Sequence, residues 1–207
     1  MERLDSSLKN MVLSLTIITM AAAAGLGAVY ELTKSTIEQT KAAKQANAIS
    51  AVLPKHARVD EPKQINGMLV YKAYDENDQL VGAAIETSTG GYGGQIKIMV
   101  GFDTNNQIVD YSILEHAETP GLGANAPVWF RTNKGNQNVI GRTIDDTFYV
   151  TQDGGTVDAI TAATITSRAF INGIRAAFEV YQNEENADAQ SGASMVHPKD
   201  NTDYVTE

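Results

Sequence analysis

Residues Asp158–Ser167 read DAITAATITS, and the hydroxyls of Thr161, Thr164, Thr166 and Ser167 fall where a short apolar stretch gives way to an amphipathic run. A helix starting here leaves its first backbone N–H groups without intrahelical partners, at the positive end of the helix dipole. Two kinds of chemistry follow. The hydroxyls of Thr164, Thr166 or Ser167 can cap the helix, or the segment can hold an anionic group, with Arg168 and Arg175 adding positive charge. A second segment, Gly121–Ala126 (GLGANA), has the spacing of a dinucleotide fingerprint. That fingerprint must open a long helix, whereas Pro127 follows at once and the polar stretch Thr132–Asn138 contains Gly135, so a dinucleotide fold is not expected. The run Ser88–Gly94 (STGGYGG) lacks the Lys-Ser/Thr ending of a phosphate-binding loop and reads as a strand connection.

The remaining composition narrows the chemistry. Zero cysteines exclude disulfides, thiolate-bound iron–sulfur clusters, thioether-linked haem and a cysteine nucleophile. The three histidines, His56, His116 and His197, are too scattered to suggest a metal site, and His116 is given no catalytic role. Lys+Arg 16 against Asp+Glu 25 gives a formal net charge of -9, which disfavours a phosphate-backbone footprint, so nucleic acid is not an expected partner. Redox chemistry in this chain would have to come from an organic cofactor.

Those segments need a scaffold. Met68–Tyr74 and Leu80–Glu86 flank the turn formers Asp75–Gln79 and read as a hairpin. In the next run Ile96, Ile98, Val100 and Phe102 alternate with Lys97, Met99 and Gly101, and Asp103–Asn106 turns the chain into Gln107–Leu114, a second hairpin with a buried face. Short strands are expected at Thr147–Thr151 and Gly155–Ile160. Phe170, Ile174, Ala177, Phe178 and Tyr181 recur at three- and four-residue steps, which predicts an amphipathic helix from about Thr166 to Tyr181. A sheet with packed helices is an α+β fold, with Trp129 and Phe130 as core anchors.

Ahead of this domain, no charged side chain occurs from Asn10 to Tyr30, and Met11–Val29 is almost wholly apolar or small. About 20 residues at roughly 1.5 Å each cross the hydrocarbon core, so the segment is long enough to span a bilayer. A cleavable signal peptide, with small-residue sites around Ala22–Ala24 or Ala28, is the competing reading; a retained anchor is the expectation. Arg3 and Lys9 favour an inside N-terminus, against Lys34, Lys41 and Lys44 beyond the segment. The expected organisation is a stub and anchor over 1–30, a linker helix over 31–62 whose helical part ends before Pro54, a folded domain over 63–182, and a disordered tail over 183–207 carrying six acids and one base.

Asp158-Ala159-Ile160-Thr161-Ala162-Ala163-Thr164 resembles the flavinylation motif Asp-x-x-Ser/Thr-Gly-Ala-Thr, departing from it at Ala162, where the family usually has glycine. Gly91–Phe102 (GYGGQIKIMVGF) together with Glu115–Gly123 (EHAETPGLG) is similar to the pattern of the FMN-binding G subunits of Rnf electron-transport complexes. With the apolar segment, the resemblance covers roughly Met11 to Tyr181. It implies FMN joined to Thr164 through a phosphoester. Glu118, Thr119, Gly121, Leu122 and Gly123 would lie beside it, with Asp158, Thr161, Ala163, Thr166 and Ser167 completing the cofactor-binding set.

The resemblance also implies an ApbE-type, Mg-dependent FMN transferase for maturation, the other membrane and peripheral subunits of the Rnf complex as partners, and a single-pass position in the cytoplasmic membrane with the FMN domain outside. Electron relay in a redox-driven ion-translocating complex is the implied function, with no catalytic residue or metal of this chain's own. A C subunit of the sodium-translocating NADH:quinone reductase shares the motifs but is usually longer. A membrane-anchored extracytoplasmic binding or scaffold module without redox chemistry is the alternative from a different class.

Overall fold

The computed structural model describes residues 8–193, in two compact units divided between Ala46 and Asn47. Arg3, which entered the orientation argument, and the acidic end beyond Ala193 lie outside the described residues.

Helix α1 (Leu8–Val52) runs unbroken for 45 residues, so the apolar segment and the helix expected after it are one element. Its best window has a mean hydropathy of 2.0 and none of it is buried within the protein. The polar side chains on this stretch satisfy themselves: Ser14, Thr16 and Thr19 donate to the carbonyls of Met11, Val12 and Leu15 at 3.1, 2.8 and 2.9 Å. That leaves no hydroxyl hydrogen to be stranded in hydrocarbon. The helix is long and apolar enough to cross a membrane.

The second unit is built on an antiparallel sheet of β1 (Arg58–Val59), β2 (Lys63–Ile65), β3 (Met68–Tyr74), β4 (Leu80–Gly90), β5 (Gln95–Asp103) and β6 (Ile108–Glu115). Its order is β1-β3-β4-β5-β6, with β2 also on β3. Both expected hairpins are present, and the same device closes each. Asp75 Oδ1 accepts from the N–H groups of Asn77 and Gln79, and Asp103 Oδ1 accepts from those of Asn105 and Gln107. These N–H bonds hold the Asp75 carboxyl below its ordinary range.

Alternation then sorts the side chains onto two faces. Ile85, Ile96, Ile98, Val100 and Phe102 are buried in the core that also holds Phe170, Ile174, Ala177 and Phe178 of α3 (Thr164–Ala193). Phe170 stacks on Phe130 with ring centroids 4.3 Å apart and meets the edge of Tyr111 at 4.8 Å. On the opposite face, Tyr71, Ala73, Ala84, Met99 and Leu114 pack against Ala48, Val52 and Leu53 at the end of α1. Gly101 permits that approach, since a Cβ there would collide with the Val52 carbonyl.

The fold is α+β, as expected, and four local readings change. The unit begins at Asn47, so residues 47–62, read as linker, supply the last turns of α1 and strand β1. Neither Thr147–Thr151 nor Gly155–Ile160 forms a strand; the two segments bond to each other through turn-like backbone hydrogen bonds, such as Val157 N–H to the Tyr149 carbonyl at 2.9 Å, with one parallel bridge, Val150 to Val157. Thr151–Asp153 is a 3-10 turn ending at left-handed Gly154, and the Asp145 carboxylate ties down the Thr147 N–H and hydroxyl at 2.8 and 2.7 Å. Helix α3 starts two residues earlier than expected, at Thr164. It also continues past Tyr181 to Ala193, because the Glu, Ala and Gln there are good helix formers with no proline among them. Part of the expected tail is therefore helical. Glu184 anchors this extension through Lys63 at 3.0 Å and Lys72 at 3.4 Å.

Candidate functional site

Three segments converge on a pocket of about 570 Å³: the turn between β4 and β5, the loop after β6, and the start of α3. Thr164, Thr166 and Ala163 line it from the helix, and Glu118, Thr119, Leu122 and Gly123 from the loop. Seven of the expected residues thus share one cavity.

Among the described residues no side chain caps the start of the helix. The first intrahelical bond runs from the Ser167 N–H to the Ala163 carbonyl at 3.0 Å, which puts alanine at the capping position and leaves the N–H groups of Thr164, Ile165 and Thr166 ahead of the bonded ladder. None of the three hydroxyls expected as caps does that work. Ser167 is fully buried, its Oγ accepting from the Ile160 N–H at 2.9 Å and donating to the Ala163 carbonyl at 3.0 Å. Thr166 is buried and donates to Glu118 Oε2 at 2.6 Å. Thr164 is half-buried, faces the pocket and makes no hydrogen bond to another described residue through its hydroxyl. An unengaged hydroxyl therefore stands beside N–H donors that precede the helical ladder, a setting suited to a phosphate.

The loop wall is held by Glu118. Its Oε1 accepts from the Gly93 N–H at 3.0 Å while Oε2 takes the Thr166 hydroxyl, so a single carboxylate joins all three segments. The Glu118 N–H itself donates to His116 Nδ1 at 3.3 Å, which gives His116 a local structural role. Leu122 is exposed in the pocket. Gly121 takes a left-handed φ of 78 outside the lining, and the chain then turns through a 3-10 segment into the four-residue α2 (Ala126–Trp129). No long helix follows the GLGANA run, as expected.

Other expected residues sit elsewhere. Asp158 Oδ2 accepts from the Asn136 N–H at 2.8 Å, and its carbonyl accepts from Trp129 Nε1 at 2.9 Å; it fastens the 131–138 loop from outside the lining. Thr161 is exposed and also outside it. Arg168 forms a fork onto Asp153 at 2.7 and 2.6 Å, which holds the Asp153 carboxyl below its usual range. Arg175 lies 3.9 Å from the Tyr149 ring centroid and donates to the Asp145 carbonyl. The positive charge expected from these arginines is spent on the 145–153 loop, and neither lines the pocket.

Tyr92, Ala162 and Ile165 line the pocket although they lie outside the expected set. Tyr92 sits in a glycine-rich turn that reads as a connector, and Ile165 and Ala162 show no periodicity that would mark them. Ala162 has a φ of 59, the left-handed region in which a Cβ is strained by about 1–2 kcal/mol. Glycine at this position of the flavinylation motif is explained by that geometry. Ala162→Gly is accordingly expected to stabilise the fold by about 0.5–1 kcal/mol, the relieved strain exceeding the entropy glycine costs. Chemical denaturation of the full chain in detergent reads this directly, and an unchanged or lower midpoint would contradict it.

The pocket suits FMN on its own terms: its volume falls in the range of cofactor sites, its lining mixes apolar Leu122, Ile165 and Tyr92 with a few polar groups, and N–H donors meet a hydroxyl at one end. Residues 91–179 match the FMN-binding domain family. The chain is 30% identical to the G subunit of the ion-translocating oxidoreductase complex of Aliivibrio fischeri, over 87% of this chain and 93% of the relative. It is 28% identical to the protein of the same name in Methanosarcina acetivorans, over 87% and 98%. The G subunit of the Na(+)-translocating ferredoxin:NAD(+) oxidoreductase complex of Acetobacterium woodii is 29% identical over 83% and 90%. The fold, the pocket and these likenesses agree, and the chain belongs to the G-subunit family of ion-translocating oxidoreductase complexes, carrying its FMN-binding domain.

Proposed function

We propose that this protein is a single-pass membrane flavoprotein that relays electrons through FMN bound covalently to Thr164, within an Rnf-type ion-translocating complex. The observation that carries the attachment site is the contrast among the hydroxyls of α3: Thr166 and Ser167 are buried and bonded, whereas Thr164 faces the pocket unengaged. FMN supplies reversible electron acceptance, and a phosphoester tether leaves its ring chemically unmodified. The protein's own contribution is to hold the phosphate at the start of α3 and to surround the ring with Leu122, Ile165 and Tyr92.

Maturation falls to a separate FMN transferase of the ApbE type, for which Thr164 is a substrate. Asp158 and Thr161 are residues this enzyme would recognise in the motif, and Gly121 shapes the loop that carries Leu122. The chain produced with such a transferase should fluoresce as a flavoprotein after denaturing electrophoresis, with the added mass on the peptide containing Thr164. Flavin on another hydroxyl, or on none, would refute the assignment.

For orientation, we place the N-terminus in the cytoplasm and the FMN domain outside, where a tether prevents loss of a scarce cofactor. Single cysteines at Ser7 and Lys44 test this with an impermeant reagent in intact cells. Labelling at the Lys44 position alone is expected; labelling at Ser7 alone would reverse the topology.

A further inference from the structure

We propose that the Glu118 carboxylate is a fixed negative charge in the wall of the flavin pocket that lowers the midpoint potential of the bound flavin. The inference rests on the FMN reading above and goes beyond it. Glu118 is 6% exposed, and both oxygens are held, Oε1 by the Gly93 N–H and Oε2 by the Thr166 hydroxyl. Backbone packs tightly around it: a Cβ on Gly123 would lie 2.5 Å from Oε2, and one on Gly91 would collide with Oε1. The carboxylate is thereby fixed in place and shielded from water while remaining in the pocket lining.

No cationic side chain pairs with it among the described residues. The two arginines nearest in sequence to the helix start are committed elsewhere, Arg168 to Asp153 and Arg175 to the Tyr149 ring. The N–H groups of the α3 start would be used by the phosphate. What remains to act on the flavin ring is an uncompensated negative charge in a partly desolvated wall. Reduction brings negative charge onto the ring, and a nearby carboxylate makes that step less favourable to a degree that low local dielectric enlarges. A purely structural Glu118, tying three segments together, would leave the potential unmoved when its charge alone is removed.

Glu118→Gln separates the two roles, because the amide oxygen can still accept from Gly93 and its nitrogen can donate to the Thr166 oxygen. The full chain, co-produced with an ApbE-type transferase and held in detergent, is first checked by intact mass and peptide mapping for flavin on Thr164. Potentiometric titration of the flavin absorbance then gives the midpoint. The expected result, read on the flavin-loaded protein, is a more positive midpoint in Glu118→Gln and a midpoint that stays near the parent value in Glu118→Asp.

Equal midpoints in the parent and Glu118→Gln chains would overturn the proposal. A folded Glu118→Gln chain without flavin would overturn it as well, by assigning the carboxylate to attachment. Should Glu118→Gln not fold, redox-difference infrared spectra of the parent chain with carboxyl-labelled glutamate decide the matter, since Glu118 is the one glutamate among the described lining residues. A shifted carboxylate band on flavin reduction supports the proposal and its absence refutes it. A parent chain with no flavin on Thr164 would instead show that the functional reading had failed.

Discussion

Thr164→Ala should yield a folded chain with no covalent flavin, the largest effect expected of any substitution at the site. The oxygen that would join the phosphate is removed, and the other two hydroxyls on the first turn of α3 cannot take its place because Thr166 and Ser167 are buried and already bonded. Stability should hardly respond. Thr164 is half-buried and its hydroxyl has no partner among the described residues, so its loss belongs with ordinary surface changes of within about 0.5 kcal/mol. The neighbours should behave in the opposite way. Ser167→Ala strands the buried Ile160 N–H, at a cost of about 1–3 kcal/mol, and Thr166→Ala removes one of the two donors to Glu118 at a comparable cost. Both should still carry flavin on Thr164 in their folded fraction. Peptide mapping of the three variants beside the parent chain, with thermal melts of each, tests this inverse pattern; flavin persisting on Thr164→Ala would end the assignment.

The legible parts of this fold are those in which a local signal and a tertiary need coincide. The alternation over Ile96–Phe102 identifies a buried face because α3 covers that face, and Asp75 and Asp103 mark turns because each carboxylate closes its own hairpin. The 147–160 region misleads for the converse reason. Its β-branched residues look strand-like, but the two segments bond to each other and join no strand of the sheet. Helix α3 outruns its apolar periodicity because helix-forming residues continue it, and Glu184 ties the start of that continuation back to Lys63 and Lys72, a contact across the chain that apolar periodicity does not reveal.

At the site, physical reasoning from the residues alone leaves capping and anion binding as alternatives, and only the family resemblance favours the second. The geometry explains why the residue types support both. A helix does start at this cluster, yet alanine occupies its capping position; Thr166 and Ser167 are buried and bonded to other partners, and Thr164 faces the pocket. Arg168 and Arg175 illustrate the limit of proximity in sequence, since helical spacing turns both towards the 145–153 loop. Tyr92 lies in the Gly91–Phe102 block of the family pattern, but its place in the lining follows from Ser88–Gly94 returning against the loop after β6, a pairing set by Glu118 and Gly93 from distant parts of the chain.

Phe170→Ala should be the most damaging single truncation for stability while leaving the attachment chemistry intact. Its ring is fully buried, parallel to Phe130 at 4.3 Å and edge-on to Tyr111 at 4.8 Å. Tyr111 in turn donates to the Ala126 carbonyl at 2.9 Å and lies beneath the Arg131 guanidinium. The stack therefore binds α3 to β6 and to the chain that follows the pocket loop. Deleting a buried phenyl ring costs about 3–5 kcal/mol, since the surrounding strands cannot collapse fully into the space. For a domain of this size that corresponds to a fall in Tm of roughly 6–20 °C. Phe170→Leu, which retains apolar volume without the stacking, should lose only about 1–2 kcal/mol. Phe170 lies six residues beyond Thr164, about 120° around the helix from it, and faces the sheet core while Thr164 faces the pocket. Below its lowered melting point, the Phe170→Ala chain should therefore accept flavin on Thr164 as fully as the parent. Thermal melts paired with peptide mapping measure both halves of this expectation. A midpoint shift of under about 2 °C would show that the aromatic stack is not what fixes α3, and loss of flavin in the folded protein would show that core packing sets the geometry of the helix start.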